Sequence, residues 1–391
     1  MSCRRNKRRT INALRFEEGL EKHLLKLSAK LKSRNYSPGK SICFMVNYPK
    51  AREIFAADFT DRIVHHLLIN AIEKYFEKRF IFDSYACRRE KGTHNAAAKT
   101  LKFIRTITNN KTRNAYYLQL DIRSFFPDLD KNILFKIIKR EVLAMKKGKN
   151  WKSDILWLSR VIIYHDPTAN YQLKSPPVLM RKIPRHKSLF GKSNKKGLPI
   201  GNLTSQFFAN VYLNELDQFI KRKLKVKYYI RYVDDLLLLS ENKDQLKSWR
   251  KEINNFLIKK LKLSLHPQKD HLRSVYQGID FLGYVIFPSH VLVRKRVVDN
   301  LKTKLYNLNQ NKLPPSLKEI EKTTALLNSY FGHFRKANSY SLRKVVYKKH
   351  LGKYKKFLKP QNDLLFFAHL SHPDSIFPIS SSRPIKNENF L

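Results

Sequence analysis

The chain has 391 residues, with 79 Lys and Arg against 31 Asp and Glu, a formal net charge of +48 and 42% apolar residues. Enough apolar content for a core excludes a disordered basic tail, and so large a positive excess self-repels unless a polyanion is bound, which points to nucleic acid rather than a small acidic substrate. There is no apolar run of about 18 residues to span a membrane and no basic amphipathic helix standing apart to lie on one. Cys3, Cys43 and Cys87 form neither a zinc pattern nor a disulfide framework, so a reducing, cytoplasmic setting is expected.

Arg4, Arg5, Lys7, Arg8 and Arg9 precede no apolar signal core and read as an RNA-binding arm. Leu20, Leu24, Leu27 and Leu31 recur at helical steps, so one helix is expected over 11–35, ended by Ser37-Pro38-Gly39. Residues 41–48 read as a short strand leading to Lys50 and Arg52, and a long helix follows from Thr60-Asp61 through Tyr75. Asp83–His94 is a loop of small, basic and hydroxyl residues ahead of a helix over 96–107. Tyr116–Ile122 reads as a strand carrying Asp121 near its end, with a helix after Pro127-Asp128-Leu129-Asp130 and another over 155–164.

The basic, Pro- and Ser-containing stretch 165–196 reads as a loop or irregular hairpin, and Gly197-Leu198-Pro199-Ile200-Gly201 opens a helix through Phe219. Two apolar runs around Val233-Asp234-Asp235 predict a β-hairpin with the acids at its tip, followed by a helix over 243–261 and a β-rich region over 263–293. From Val298 onward the pattern is helical and basic, and the last 25 or so residues read as a tail. The sum is an α+β chain with helices on one face of a mostly antiparallel sheet.

An Asp-Asp pair on a hairpin tip is poorly explained by stability, because the like charges repel; a hard divalent cation such as Mg²⁺ (or Mn²⁺) relieves them. Asp121 supplies a third carboxylate if its strand pairs with the hairpin, and three carboxylates on two strands can hold two ions roughly 4 Å apart for in-line phosphoryl transfer. Phe126 could exclude a ribose 2′-hydroxyl or simply sit in the core, and from spacing alone the core role wins. Lys50 and Arg52 could grip a triphosphate as point charge and fork. Gly201 permits a close nucleotide approach, Lys269 could protonate a leaving pyrophosphate, and Arg88 and Lys91 could meet phosphates. In a chain this basic, each of these cations could equally be a solvated surface charge.

Together these stretches, over roughly 45–350, resemble reverse transcriptases. Tyr232-Val233-Asp234-Asp235 is similar to the YxDD box, Leu120-Asp121-Ile122 through Phe126 to the first palm motif, Leu198-Pro199-Ile200-Gly201 through Gln206 to the nucleotide-pocket motif, and Phe281-Leu282-Gly283-Tyr284 to the primer grip. The resemblance implies a right-hand polymerase with fingers, palm and a short helical thumb. It implies that Asp121, Ile122, Asp234 and Asp235 surround the metals, and that Lys269 is a catalytic general acid. Lys50, Arg52, Phe126, Ile200, Gly201 and Gln206 would meet the dNTP, and Arg88, Lys91, Tyr232, Phe281, Leu282 and Gly283 the nucleic acid.

Its domains would be N-terminal helix and fingers (1–113), palm (114–145 and 197–293) around an insertion (146–196), thumb (294–360) and tail (361–391). Ile200 and the ending Ser205-Gln206 depart from most of the family. They resemble the reverse transcriptases of diversity-generating retroelements, as do Asp61-Arg62-Ile63-Val64-His65-His66, Asp83–Arg88 with Lys91–His94, and Asn328–His333. That subfamily implies a bacterial or phage-encoded enzyme that copies a template RNA into cDNA with errors at adenines, for mutagenic retrohoming into a target gene. It also implies a small basic accessory protein, the accessory variability determinant, as partner. The alternatives are a defence-type or retron-like reverse transcriptase, an RNA-dependent RNA polymerase, which Phe126 disfavours, and a non-catalytic RNA-binding scaffold, which the intact carboxylates disfavour.

Overall fold

The computed structural model describes residues 3, 10–47, 50–311 and 313–369. The expected arm Arg4–Arg9, position 48 of the first expected strand and the tail beyond 369 lie outside the described residues. The chain divides into two compact units, Met1–Gln277 and Gly278–Leu391. The second palm stretch expected over 197–293 spans this division.

In the first unit the N-terminal helical pattern forms two helices, α1 (Ile11–Glu18) and α2 (Leu20–Lys32), rather than one. Gly19 leaves helical dihedrals at φ −121°, ψ 42°, and of the four leucines, all on α2, only Leu27 is buried. Strand β1 (Ser41–Val46) pairs antiparallel with β2 (Arg52–Ala56), a strand not expected from the sequence, which assigns no element between Arg52 and Thr60. Helix α3 (Phe59–Glu77) is capped by the Asp58 carboxylate on Thr60 N, and α4 covers Thr93–Ile107.

Strand β3 (Tyr116–Ile122) leads into a single helical turn, α5 (Phe125–Asp128), and then α6 (Lys131–Leu143), whose first amides bond to the Asp130 side chain. Helix α7 (Lys149–Tyr164) follows. Within 165–196 the chain forms β4 (Tyr171–Leu173), parallel to β1, and a short helix α8 (Pro177–Met180). Helix α9 (Leu203–Gln218) is followed by β5 (Tyr228–Tyr232), β6 (Asp235–Ser240), α10 (Lys243–Phe256) and β7 (Leu265–Ser274).

The central sheet has the order β5-β6-β3-β7, antiparallel throughout. Leu236 and Leu238 on one face join the core with Leu118, Leu120, Tyr212 of α9 and Ile253 of α10. The opposite face is buried too: Leu237 and Leu239 are 0% and 1% exposed, and Phe103 of α4 packs edge-on against Tyr228 at 5.3 Å. This corrects the expectation of helices on one face, and it explains why β6 is an unbroken apolar run rather than an alternating one. The outer edge of β5 is covered by the Asp83–Tyr85 loop, through Arg231 N to Asp83 O (3.0 Å) and Tyr85 N to Arg231 O (2.9 Å), which removes an open strand edge.

The second unit begins with a meander, β8 (Ile279–Phe281), β9 (Tyr284–Ile286) and β10 (Val291–Val293). Helices α11 (Lys295–Asn309), α12 (Leu317–Phe334) and α13 (Tyr340–Lys349) bury Leu301, Leu305, Leu327, Phe331, Phe334 and Val346 in one cluster. Residues read as the start of a tail pair instead as a hairpin, β11 (Leu358–Gln361) and β12 (Phe366–His369). Asn328 of α12 holds that hairpin by bonding both the N–H (2.7 Å) and the C=O (3.0 Å) of Phe367.

Candidate active site

The centre is built by strand register. Asp121 and Asp235 are direct partners across β3 and β6, and directly opposed residues of an antiparallel pair point to the same face. Asp234 lies in the two-residue turn between β5 and β6, whose last pair is Tyr232 with Asp235. Opposite Asp121 the β3–β7 ladder slips, with Leu120 facing Asp270 and Ile122 facing Leu265. Such a bulge re-aims a side chain, here Lys269, whose ammonium pairs with the Asp121 carboxylate.

Three carboxylates therefore converge where water is scarce. Burial first, then the Asp121 charge, pushes the Asp234 carboxyl up to about 6. Burial, then the charges of Asp234 and Asp121, pushes Asp235 up to about 7, with Lys269 and Lys50 opposing. Burial lowers the proton affinity of Lys50, and the neighbouring Lys269 lowers it further. Arg52 acts on Asp234. Lys50 and Arg52, on either side of the start of β2, are thus brought to the carboxylates.

Among the described residues no three His, Cys, Asp or Glu side chains stand ready to enclose a metal ion. The chemistry of the donor set nevertheless fits a hard cation: mutually repelling carboxylates hold protons too tightly, and a lysine ammonium occupies the Asp121 oxygen as a cation would. Ile122 can offer only its main-chain oxygen, since its side chain is 1% exposed in the core.

The turn that carries Asp234 is strained and tied down. Val233 has φ 55°, a left-handed conformation that a β-branched residue rarely adopts and that costs about 1–3 kcal/mol. Arg231, 1% exposed, donates to Val233 O (3.1 Å), Asn210 Oδ1 (3.1 Å) and Ser84 Oγ (3.2 Å). It also grips fully buried Asp217 in a two-pronged pair, Nε to Oδ1 at 2.8 Å and Nη2 to Oδ2 at 2.7 Å. Tyr229 adds a hydroxyl to Asp217 (2.7 Å). Arg231 is a functional residue that the sequence analysis does not single out; a charge in the middle of an otherwise apolar strand is the available signal.

The residues expected at the nucleotide arrive by a second route. Gly201 has φ 123°, and a Cβ there would meet Ile54 Cγ2 at 2.7 Å and Phe55 O at 2.9 Å, so only glycine lets this loop lie on β2. Phe55 N bonds Ile200 O (2.8 Å), and Ala57 N bonds Asn202 Oδ1 (3.1 Å). Ile200 is half-buried, and Gln206 is exposed on the first turn of α9. Phe126, also half-buried, packs with its ring tilted 60° to that of Phe125 (5.2 Å between centroids), while its carbonyl accepts from Leu198 N (2.9 Å). The two motifs are thus joined through the main chain.

The Asp83–His94 loop corrects one expectation. The Arg88 side chain is 6% exposed and its guanidinium bonds inward to Glu77, Ile81 O and Ser84 O, so it organises the loop instead of meeting phosphate. Lys91 lies over the Phe82 ring at 3.4 Å with its ammonium on Phe82 O (3.0 Å). Thr93, which sequence reading did not single out, bonds the Tyr232 hydroxyl at 3.2 Å.

Phe281, Leu282 and Gly283 belong to the second unit. There Leu282 (φ 54°) and Gly283 (φ 88°) form a two-residue hairpin turn. His333 stacks on Tyr284 at 4.2 Å beside this turn.

A profile of the family described as "Reverse transcriptase (RNA-dependent DNA polymerase)" matches residues 47–286. The chain is 24% identical over 320 residues to Protein YkfC of Escherichia coli, covering 73% of this chain and 75% of that protein. It is 22% identical over 331 residues to the group II intron-encoded protein LtrA of Lactococcus lactis subsp. cremoris, covering 68% and 50%. Over 215 residues it is 26% identical to nuclear intron maturase 1, mitochondrial, of Arabidopsis thaliana, covering 48% and 29%. It therefore spans three quarters of the first of these relatives but half or less of the other two. Among solved structures, apo telomerase from Candida tropicalis aligns with a TM-score of 0.48 at 15% identity, covering 82% of this chain and 62% of that one.

Proposed function

The chain belongs to the reverse transcriptase family, RNA-dependent DNA polymerases, and we propose that it makes cDNA at the Asp121, Asp234 and Asp235 centre to diversify a target gene. The observation that carries the catalytic part is the register pairing of Asp121 with Asp235 beside the Asp234 turn. Two Mg²⁺ or Mn²⁺ ions on these carboxylates would supply an activated 3′-hydroxyl and neutralise the leaving pyrophosphate. In this reading Lys50 and Arg52 bind the dNTP phosphates, Gly201 admits the nucleotide, Phe126 borders its sugar, and Lys269 gives its proton to a leaving phosphate oxygen. Lys269 keeps Asp121 neutralised until a cation replaces it. The first unit would supply fingers and palm, and the second the thumb and the Phe281–Gly283 primer contact.

The diversification role rests on the Ile200–Gln206 string and the other subfamily-like motifs, with a template RNA and a small basic accessory protein as partners. An Ile side chain at position 200 offers no hydrogen bond near the nucleotide, and polar checks are what give large discrimination ratios. Sequencing cDNA made on a defined RNA, with and without the accessory protein, tests this. Errors concentrated opposite template adenines, and an altered spectrum in Ile200→Gln, support it; accurate copying discards it. The similarity to intron-encoded LtrA favours a second reading, an enzyme dedicated to one structured intron-like or retron-like RNA. Accurate cDNA made only on such an RNA would select that reading.

A further inference from the structure

Residues 185–197 and the buried carboxylate of Glu53 have no part in the chemistry described so far. Glu53 follows Arg52 in β2, is 3% exposed, and accepts hydrogen bonds from Ser188 Oγ (2.7 Å) and Leu189 N. Leu189 packs with Cys43 and Phe55 behind the same strand. Further along, Lys192 Nζ bonds Asp128 Oδ1 (2.6 Å), Lys131 N bonds Lys195 O (2.9 Å), and Gly197 N bonds Leu129 O (2.8 Å). The segment is therefore a strap pinned at one end to the strand that carries Arg52 and at the other to the turn that follows Phe126.

Just before the Glu53 clamp, Arg185–Lys187 form a single 3₁₀ turn that touches α5. Lys187 is exposed, whereas Ser188 and Leu189 are buried. Burial first, then Lys269, lowers the proton affinity of Lys50 and of His266, and the Lys187 charge adds to both in the same direction. The clamp therefore places the turn that carries Lys187 between Glu53, next to Arg52 in β2, and α5, which follows the strand of Asp121.

We propose that Lys187 is a third cation for the triphosphate of the incoming nucleotide, beside Lys50 and Arg52, and that Glu53, Ser188 and the Leu189 amide are the positioning clamp that holds it there. Exposed lysines are usually solvated, but this one is held by a buried, doubly bonded carboxylate one residue away. The inference rests on the polymerase reading.

The test is steady-state primer extension on RNA with wild type, Lys187→Ala, Lys187→Arg, Ser188→Ala and the Lys187→Ala/Ser188→Ala pair, with template–primer affinity measured alongside. Lys187→Ala is expected to raise the dNTP KM about fivefold or more, with a smaller change in kcat and an unchanged template–primer Kd, while Lys187→Arg restores most of the loss. Ser188→Ala should raise KM by a smaller factor and add nothing in the Lys187→Ala background, since it acts through that lysine. An active wild type whose dNTP KM is unmoved by Lys187→Ala overturns the inference alone, as does a loss seen only in template–primer affinity. A wild type as inactive as Asp234→Ala overturns the polymerase reading and this inference together.

Discussion

Two hairpin turns invite comparison, one in each unit. Both connect adjacent antiparallel strands with two residues, and both open on a large apolar residue with left-handed φ, Val233 at 55° and Leu282 at 54°. The second continues with Gly283 at φ 88°, the residue type such turns favour. The first continues with Asp234, which stays outside the left-handed region, so its conformation is not eased by glycine. The difference is made up from below: Arg231, held by Asp217, Asn210 and Ser84, binds the carbonyl of Val233. A turn that presents a carboxylate is fixed by a buried ionic network, and a turn that presents backbone is fixed by glycine and a stacked histidine.

Breaking the anchor should have the largest effect. Asp217→Ala leaves the Arg231 guanidinium buried without its counter-charge, which costs about 3–5 kcal/mol of stability, read as a lower chemical-denaturation midpoint. Asp217→Ala at permissive temperature should also lose polymerase activity beyond its unfolded fraction. If activity per folded molecule is unchanged, the network supports only the fold.

Next, Gly283→Ala places a Cβ about 3.0 Å from His333 Nε2 at φ 88°, and should cost the second unit about 1–2 kcal/mol. Extension products should shorten while single-nucleotide addition at the first unit persists. Full-length products at normal yield would show that this turn does not matter to synthesis.

A pH series compares the carboxylates with the rest of the protein. Asp234 and Asp235 have folded-state values of about 6 and about 7, raised from the ordinary 3.8, so the folded protein holds these protons more tightly than the unfolded chain. Their contribution to stability is therefore present at low pH and lost as pH rises through those values. The metal-free thermal midpoint should fall between about pH 5 and pH 8, Mg²⁺ should bind more tightly over the same interval, and Asp235→Asn should flatten both trends. An unchanged slope in Asp235→Asn would assign the pH dependence elsewhere.

The smallest effect is expected for Val233→Gly. Relief of the left-handed strain and loss of the valine packing oppose one another, leaving a net change within about 1 kcal/mol. Its turnover should still drop, because a glycine turn holds Asp234 less firmly. Equal turnover would mean that the strain has no functional part.

Much of this was legible in the sequence because it is local. The apolar runs at 228–232 and 236–239 specify the strands, and an acid pair between them marks the tip. Asp121 was legible as a strand-end acid. What sequence could not supply was register: the β7 slip that turns Lys269 onto Asp121, and the β1–β2 hairpin, arise from pairings between distant segments. Burial hid the rest. Arg88 and Arg231 look alike in a basic chain, yet both guanidinia are enclosed, one organising a loop and the other the turn that carries Asp234. Glu53 carries no sequence signal, since its partners lie some 135 residues away.

The most direct test is primer extension on a defined RNA template with dNTPs and Mg²⁺, comparing wild type with Asp234→Ala after both are shown to be folded and to bind the template–primer. The account predicts cDNA from wild type and a loss of about a thousandfold or more in the variant with template–primer affinity retained. Equal extension by the two proteins would contradict it, because the carboxylate on the anchored turn would then have no part in the chemistry.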